Sequence, residues 1–135
     1  HTEGFYREYR AVCLGCPEPS AGIIDAPIGR DETSAVRRMV RSDGQQAVSH
    51  YEVLSSRNGL SLVKLLPETG RTHQLRVHMA HIGHPLAGDW LYGTEDPELI
   101  PRPALHSYVL ALTHPVTGER MRFTAPIPAD MNRLI

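Results

Sequence analysis

The chain has 135 residues, of which 41% are hydrophobic and 21% charged, and its formal net charge is −1. This length suits one domain, and this composition excludes a disordered chain. The near-neutral charge excludes a nucleic-acid-binding protein with a uniformly basic surface, although it leaves room for a local basic groove. No apolar run approaches the roughly 20 residues that cross a bilayer, and no secretory signal is visible. We therefore expect a cytoplasmic protein without a membrane partner.

Most of the chain predicts short strands separated by glycine and proline. Alternating apolar residues and strand-forming composition mark these segments. The predicted strands and extended segments are residues 7–14, 23–28, 48–54, 60–66, 105–112 and 121–125. Asn58-Gly59 predicts a tight hairpin, because both residues tolerate positive φ. Residues 62–66 are almost wholly apolar and predict a strand buried on both faces, whereas residues 35–40 predict a helical turn or a mobile loop.

One helix is predicted over residues 72–82, with Thr72 as its N-cap. Gly83 and Pro85 predict its end. Strands joined by tight turns, with one central helix, predict an α+β fold whose sheet is mainly antiparallel.

The predicted helix places an arginine beside an apolar face. Leu75, Met79 and Ile82 share one face, which we expect to pack on the sheet. Arg76 lies on the adjacent face with Ala80, so its guanidinium can be partly desolvated. A buried guanidinium needs a carboxylate or phosphate partner. The alternative is an Arg76 whose head group reaches solvent.

Residues 70–72, Gly-Arg-Thr, lie where this helix should start. Free N–H groups and the helix dipole favour an anion at such a position, and Arg71 adds a full charge. A phosphate of a nucleic-acid backbone would fit there. An ordinary tight turn is the alternative.

Histidine and cysteine residues raise the question of a metal or redox site. Four histidines lie within residues 73–84, and the spacing of His78 and His81 could suit zinc. Because no H-E-x-x-H pattern is present, we expect these histidines to donate to backbone carbonyls or to RNA and expect no metal site. Cys13 and Cys16 form a single C-x-x-C, which we interpret as two reduced thiols rather than a redox pair.

A long ordered stretch resembles the signature of the RluA-type RNA pseudouridine synthases. Residues 67–79 read PETGRTHQLRVHM, and the resemblance continues through residues 80–93. Shorter matches follow the family's order over nearly all of the chain. They are residues 9–12, 24–31, 104–106, 114–115 and 126–131.

This resemblance implies an enzyme that isomerises uridine to pseudouridine in ribosomal or transfer RNA, without cofactor or metal. Such enzymes use one aspartate, a tyrosine stacked on the flipped uracil, an arginine that pairs with the aspartate and an apolar residue at the pocket floor. By position, Tyr9 would be the stacking tyrosine, Arg76 the partner of the aspartate and Leu105 the floor. Arg71 and His73 would contact the RNA backbone.

The chain departs from the family in one respect. The family's aspartate lies in an R-L-D-x-x-T-S-G-type stretch before the tyrosine strand, and no such stretch is present here. We therefore expect residues 1–135 to be the C-terminal portion of the catalytic domain, without the catalytic aspartate segment and inactive alone. The family commonly has Lys where this chain has Arg7.

Several expectations follow from this departure. Arg76 should lack its partner, and an apolar patch or open sheet edge should remain where the N-terminal half of the domain would pack. We expect Asp89 only to cap the loop after it. Apart from a piece of a longer enzyme, the alternatives are a natural short protein that binds structured RNA without modifying it, a second chain that supplies the missing half, and a histidine-metal hydrolase.

Overall fold

The computed structural model describes residues 5–135 and has an α+β architecture, as predicted. Its strands and helices are, in chain order, β1 (Tyr6–Leu14), β2 (Ala21–Asp25), β3 (Ile28–Arg30), β4 (Arg38–Val40), β5 (Val48–Arg57), β6 (Leu60–Pro67), α1 (Gln74–His81), β7 (Leu105–Thr113), β8 (Arg120–Thr124) and α2 (Ala129–Asn132). The large sheet has the strand order β2-β5-β6-β1-β7-β8, and β3 pairs with β4 in a separate sheet. Every neighbouring pair is antiparallel. Within this part of the chain, neither helix is long and apolar enough to cross a membrane.

The predicted hairpin between β5 and β6 is confirmed. Asn58 and Gly59 have φ values of 54° and 78°, as a two-residue turn with positive φ at both positions requires. The prediction that residues 62–66 are buried on both faces is confirmed only in part. Val63 and Leu65 lie in one apolar cluster and Leu62 packs against another, but burial alternates along this strand. Val63 and Leu65 are fully buried, while Lys64, which lies between them, is only half-buried.

Two apolar clusters lie on opposite faces of the large sheet. Alternation along β1 sends Ala11 and Cys13 to one cluster and Val12 to the other. The first cluster lies between the sheet and the helix, where Leu75 and Met79 pack on the sheet as predicted. The second is closed by α2, a four-residue helix that the sequence pattern did not predict because a single turn shows no periodicity.

The start of α1 differs from the prediction. Thr72 is not the N-cap: the helix begins at Gln74, and His73 occupies the N-cap position without any side-chain capping bond. The backbone of His73 is left-handed, with φ of 56°. The helix therefore starts one residue later than it would with Thr72 as its N-cap. The end is as predicted, since Gly83 has φ of 88° and its N–H donates to the Ala80 carbonyl.

The prediction that residues 35–40 form a helical turn or a mobile loop fails for half of this segment. Their second half is the strand β4, which pairs with β3 so that Val40 lies opposite Ile28. Val40 packs in a third small cluster with Ile28 and Val77 of α1. The strand therefore forms because the helix covers it, a tertiary contact that local sequence does not show.

The large sheet is open at both edges. Ile23 on the edge strand β2 is 64% exposed, and Phe123 on the edge strand β8 is 51% exposed. Every open sheet has two edges, so these side chains do not by themselves reveal a missing half-domain. That expectation stays a prediction.

A buried histidine ties α1 to the sheet. Nε2 of His78 lies 2.9 Å from the Ala26 carbonyl oxygen, and Nδ1 lies 2.8 Å from Oγ of Ser49. The carbonyl can only accept, so Nε2 carries the proton and Nδ1 accepts from Ser49, whose Oγ in turn accepts from Nε2 of Gln74. This confirms the prediction that histidines of this segment donate to backbone carbonyls, as does the contact of His84 Nδ1 with the Leu14 oxygen.

The free energy of unfolding should fall when the pH drops below about 6.5. Burial lowers the pKa of His78 from the ordinary value of 6.5, so the unfolded chain takes up a proton that the folded chain resists. The stabilisation is complete above about pH 6.5 and is lost as the pH falls toward the folded-state pKa, with a slope of up to about 1.4 kcal/mol per pH unit. Urea unfolding between pH 5.5 and 8 measures this slope. A His78→Gln variant should reduce this slope, and an unchanged slope in that variant would contradict the assignment.

Both cysteines are free thiols, as predicted. Cys13 is buried at the core side of β1, and burial raises its pKa to about 12, whereas Cys16 is exposed. Among the described residues, no three His, Cys, Asp or Glu side chains are grouped closely enough to hold a metal ion.

Candidate active site

All five predicted site residues line one cleft of about 280 Å³. This volume is near the lower end of the range typical of small-molecule pockets, about 300 Å³. Strand β1 lies between β6 and β7 in the sheet, and α1 follows β6 in the chain. The topology thereby brings together side chains from two strands, one loop and the helix. They are Tyr9 from β1, Leu105 from β7, Arg71 and His73 from the β6–α1 loop, and Arg76 from α1.

The prediction that Arg76 lacks a carboxylate partner is wrong. Nε of Arg76 lies 3.0 Å from Oδ2 of Asp89, and Nη2 lies 2.8 Å from Oδ1. The two side chains are 14% and 0% exposed. The position of Arg76 beside the apolar face of the helix correctly predicted that its guanidinium needs an anion. That anion is supplied by the same chain, thirteen residues further on.

Residues next to Asp89 also contact the two members of this ion pair. Asp89 caps its own loop, as predicted, since Oδ1 also accepts the N–H groups of Leu91 and Tyr92 at 3.1 Å each. The carboxylate thus receives donors from the helix and from its own loop, and it does not line the cleft. The rings of Tyr92 and Trp90 lie 5.1 and 5.9 Å from the Arg76 guanidinium carbon, a cation–π arrangement. Asp89 therefore positions Arg76 and does not face the cleft itself.

His73 is held in one orientation by Tyr92. The Tyr92 hydroxyl lies 2.7 Å from Nδ1 of His73 and accepts the N–H of Arg38 at 2.9 Å. Its own hydrogen can donate to Nδ1, which assigns the remaining ring proton to Nε2. Burial, and then the positive charges of Arg76 and Arg38, lower the pKa of His73. The ring is therefore neutral at physiological pH and offers an N–H donor.

Gln74 fastens the β6–α1 loop and was not among the predicted site residues. Its Oε1 accepts from Oγ1 of Thr69 at 2.7 Å and from the Arg71 N–H at 3.1 Å. Its Nε2 donates to the Val48 carbonyl at 2.9 Å, so the loop is tied to β5. The Arg71 N–H is consequently not free for an anion. The expectation of an anion at residues 70–72 stays a prediction for the other N–H groups of this turn. The Arg71 side chain binds the Gln46 carbonyl through Nε at 2.7 Å.

The cleft carries an excess of positive charge. Three arginines line it, namely Arg7, Arg71 and Arg76, and no carboxylate among residues 5–135 does so. Asp89 balances only one of them from behind. A local site of this kind can attract a polyanion although the whole chain has a net charge of −1.

Comparison with known proteins identifies the family. A family model described as RNA pseudouridylate synthase matches residues 1–81. The chain belongs to this family. An uncharacterized RNA pseudouridine synthase of Bacillus subtilis, YjbO, is 51% identical over 129 residues, which cover 96% of this chain and 45% of YjbO. The ribosomal large subunit pseudouridine synthase D of Nitrosomonas europaea is 43% identical over 96% of this chain and 40% of its own.

Solved structures agree with this family membership. The human RNA pseudouridylate synthase domain containing 1 superposes with a TM-score of 0.77 and 31% identity, covering 91% of this chain and 55% of that one. These neighbours are pseudouridylate synthase domains, which confirms the predicted fold class. The chain spans less than half the length of the two curated relatives. The roles assigned to the five site residues stay predictions.

Proposed function

We propose that this protein is an RNA pseudouridine synthase and that the described residues form the uracil-binding side of its active site. The observation that supports the proposal most is the convergence of Tyr9, Arg76 and Leu105 on one cleft of about 280 Å³. These residues lie up to 96 positions apart in the sequence. In the sequence analysis, only the family resemblance predicted that they belong to one site.

The proposed reaction isomerises a uridine without changing its composition. The N1–C1′ bond breaks, the uracil turns within the cleft, and a C5–C1′ bond forms, while the C5 proton is lost and N1 gains a proton. The target base must first leave its stack, at a cost of a few kcal/mol. Stacking on the Tyr9 ring and contact with Leu105 would offset part of this cost.

Arg76 would hold the catalytic carboxylate that the family resemblance implies. Asp89 binds Nε and Nη2 of the guanidinium, which leaves Nη1 free of Asp89. The guanidinium can thus bind a second carboxylate while it stays fixed by the first. His73 would add a neutral N–H donor beside the uracil or the RNA backbone.

We propose large-subunit ribosomal RNA as the first substrate to test, since one relative bears that substrate in its name. Transfer RNA is the other candidate. We also propose a cytoplasmic location, which cell fractionation would test.

Deletion of the gene that encodes this chain tests the function directly. Pseudouridines in ribosomal and transfer RNA are mapped by carbodiimide labelling and reverse transcription, with and without the gene. At least one site should disappear and return on complementation. If every site persists, the proposal is wrong. Binding of the protein to RNA without any lost site would instead favour a non-catalytic RNA-binding module.

Complementation with Tyr9→Leu should lower the rate of modification roughly 10- to 100-fold. Stacking of a base on an aromatic side chain contributes about 1–3 kcal/mol, and each 1.4 kcal/mol is about tenfold in rate. The matched control is Tyr108→Leu, because Tyr108 lies outside the cleft with its ring beside Arg10. Equal rates in the two variants would contradict the role of Tyr9.

A further inference from the structure

Arg7 differs from the other two arginines of the cleft in what it binds. Its Nε is buried and has no hydrogen-bond partner among residues 5–135. Nη2 reaches only the Thr69 carbonyl, at the limiting distance of 3.5 Å, and the Phe5 ring lies 5.7 Å from the guanidinium carbon. Arg76 and Arg71, by contrast, have Nε bonded at 3.0 and 2.7 Å. Among the three arginines of the cleft, only Arg7 therefore has a buried donor that lacks a partner among residues 5–135.

No carboxylate neutralises this guanidinium within the described part of the chain. Glu68, which lines a neighbouring hollow with Arg7, contacts Nε2 of His50 instead. A buried polar group without a partner costs about 1–3 kcal/mol, and a charged one more. Such an exception in a folded protein calls for a ligand or another functional reason.

The position of Arg7 indicates which ligand would supply the partner. Arg7 precedes Tyr9 by two residues on β1, so their Cα atoms are separated by about 6.6 Å along the strand. The guanidinium lies over Gly70, where an added Cβ would be 3.5 Å from Nη1. A nucleotide whose base stacks on Tyr9 carries its phosphate at a comparable distance from the base.

We propose that Arg7 binds a phosphate of the RNA strand next to the uridine whose base stacks on Tyr9. A planar guanidinium with unmet donors matches the tetrahedral oxygens of a phosphate, which it can bind with two parallel hydrogen bonds. Arg7 is therefore a substrate-binding residue that holds the backbone while the base enters the cleft. The inference deepens the proposed function and rests on it.

The salt dependence of RNA binding tests this assignment. Anisotropy of a fluorescein-labelled RNA hairpin with a uridine in its loop is measured over a series of KCl concentrations, with the purified protein and its variants. Arg7→Gln should reduce the slope of log K against log[KCl] by about 0.7–0.9, the contribution of one phosphate contact. The loss of affinity should be similar for hairpins of different loop sequence. Arg7→Lys should keep the slope, because the charge remains, while lowering the affinity.

Arg57→Gln is the matched control, since it removes the same charge at the hairpin on the other end of β6. Its slope should equal that of the wild type, and thermal unfolding should show that both glutamine variants are folded. An unchanged slope in Arg7→Gln, or no RNA binding by the wild type at low salt, would overturn the proposal. If Arg7 instead binds a carboxylate, Arg7→Gln would abolish pseudouridine formation and leave the slope intact. Persisting pseudouridines after gene deletion, with a reduced slope, would refute the proposed function alone.

Discussion

Replacing Arg76 with methionine should lower the free energy of unfolding by about 3 kcal/mol. The substitution removes both side-chain donors of Asp89, whose side chain has no exposed surface. Breaking a buried ion pair by deleting one partner costs about 3–5 kcal/mol, because the other charge stays buried. Two backbone N–H groups still bind Asp89 in the variant. We therefore expect the loss of unfolding free energy to lie at the lower end of this range. Urea unfolding with linear extrapolation measures the loss, provided that the m-values of the two proteins agree.

The double variant Arg76→Met with Asp89→Asn should recover most of this loss. Asparagine keeps an oxygen for the N–H groups of Leu91 and Tyr92 and removes the uncompensated charge. Pseudouridine formation should remain absent in the double variant, because the guanidinium is still missing. Loss of activity in Arg76→Met alone would not separate a catalytic role from unfolding, whereas the pair of variants does. A single variant as stable as the wild type would show that the ion pair does not contribute to stability.

Gly88→Ala should destabilise the fold by about 3 kcal/mol or more. Gly88 has φ of +73°, and a Cβ there would overlap the carbonyl oxygen of Arg102 and lie 2.6 Å from Cγ2 of Ile100. A left-handed backbone costs an alanine about 1–2 kcal/mol, and overpacking against the fixed backbone adds about 1–3 kcal/mol. The adjacent Asp89 would shift as well, so the Arg76 guanidinium should lose its fixed position.

Gly118→Ala separates the two contributions. Gly118 has almost the same φ, +72°, but a Cβ added there would have no atom within 4 Å. Its substitution should therefore cost only the backbone contribution, about 1 kcal/mol. Thermal or urea unfolding of both variants gives the comparison. Equal losses at the two glycines would mean that crowding at Gly88 is relieved without cost.

Local signals explain which elements could be predicted from the sequence. Asn58-Gly59 fixes its hairpin through the φ preference of two residues, and the apolar spacing of Leu75 and Met79 fixes the face of α1 that meets the sheet. The strand β4 was not predictable in this way, since it depends on contact with the helix.

The site residues could not be predicted from local sequence signals of this kind. The family resemblance named five residues that the fold brings to one cleft. The partner of Arg76 was missed, because pairing across the turn at Gly88 depends on how the chain folds back, and residue spacing does not encode it. The orientation and tautomer of His73 likewise depend on Tyr92, a contact across nineteen positions.

The only tryptophan of the chain, Trp90, stands 5.9 Å from the Arg76 guanidinium and is 55% exposed. The intrinsic fluorescence of the protein therefore originates beside the candidate site and not in the core. Emission from this indole is sensitive to any molecule that displaces water around it or alters the neighbouring charge. A ligand that alters the surroundings of Arg76 should therefore change this emission, which can be followed in unlabelled protein.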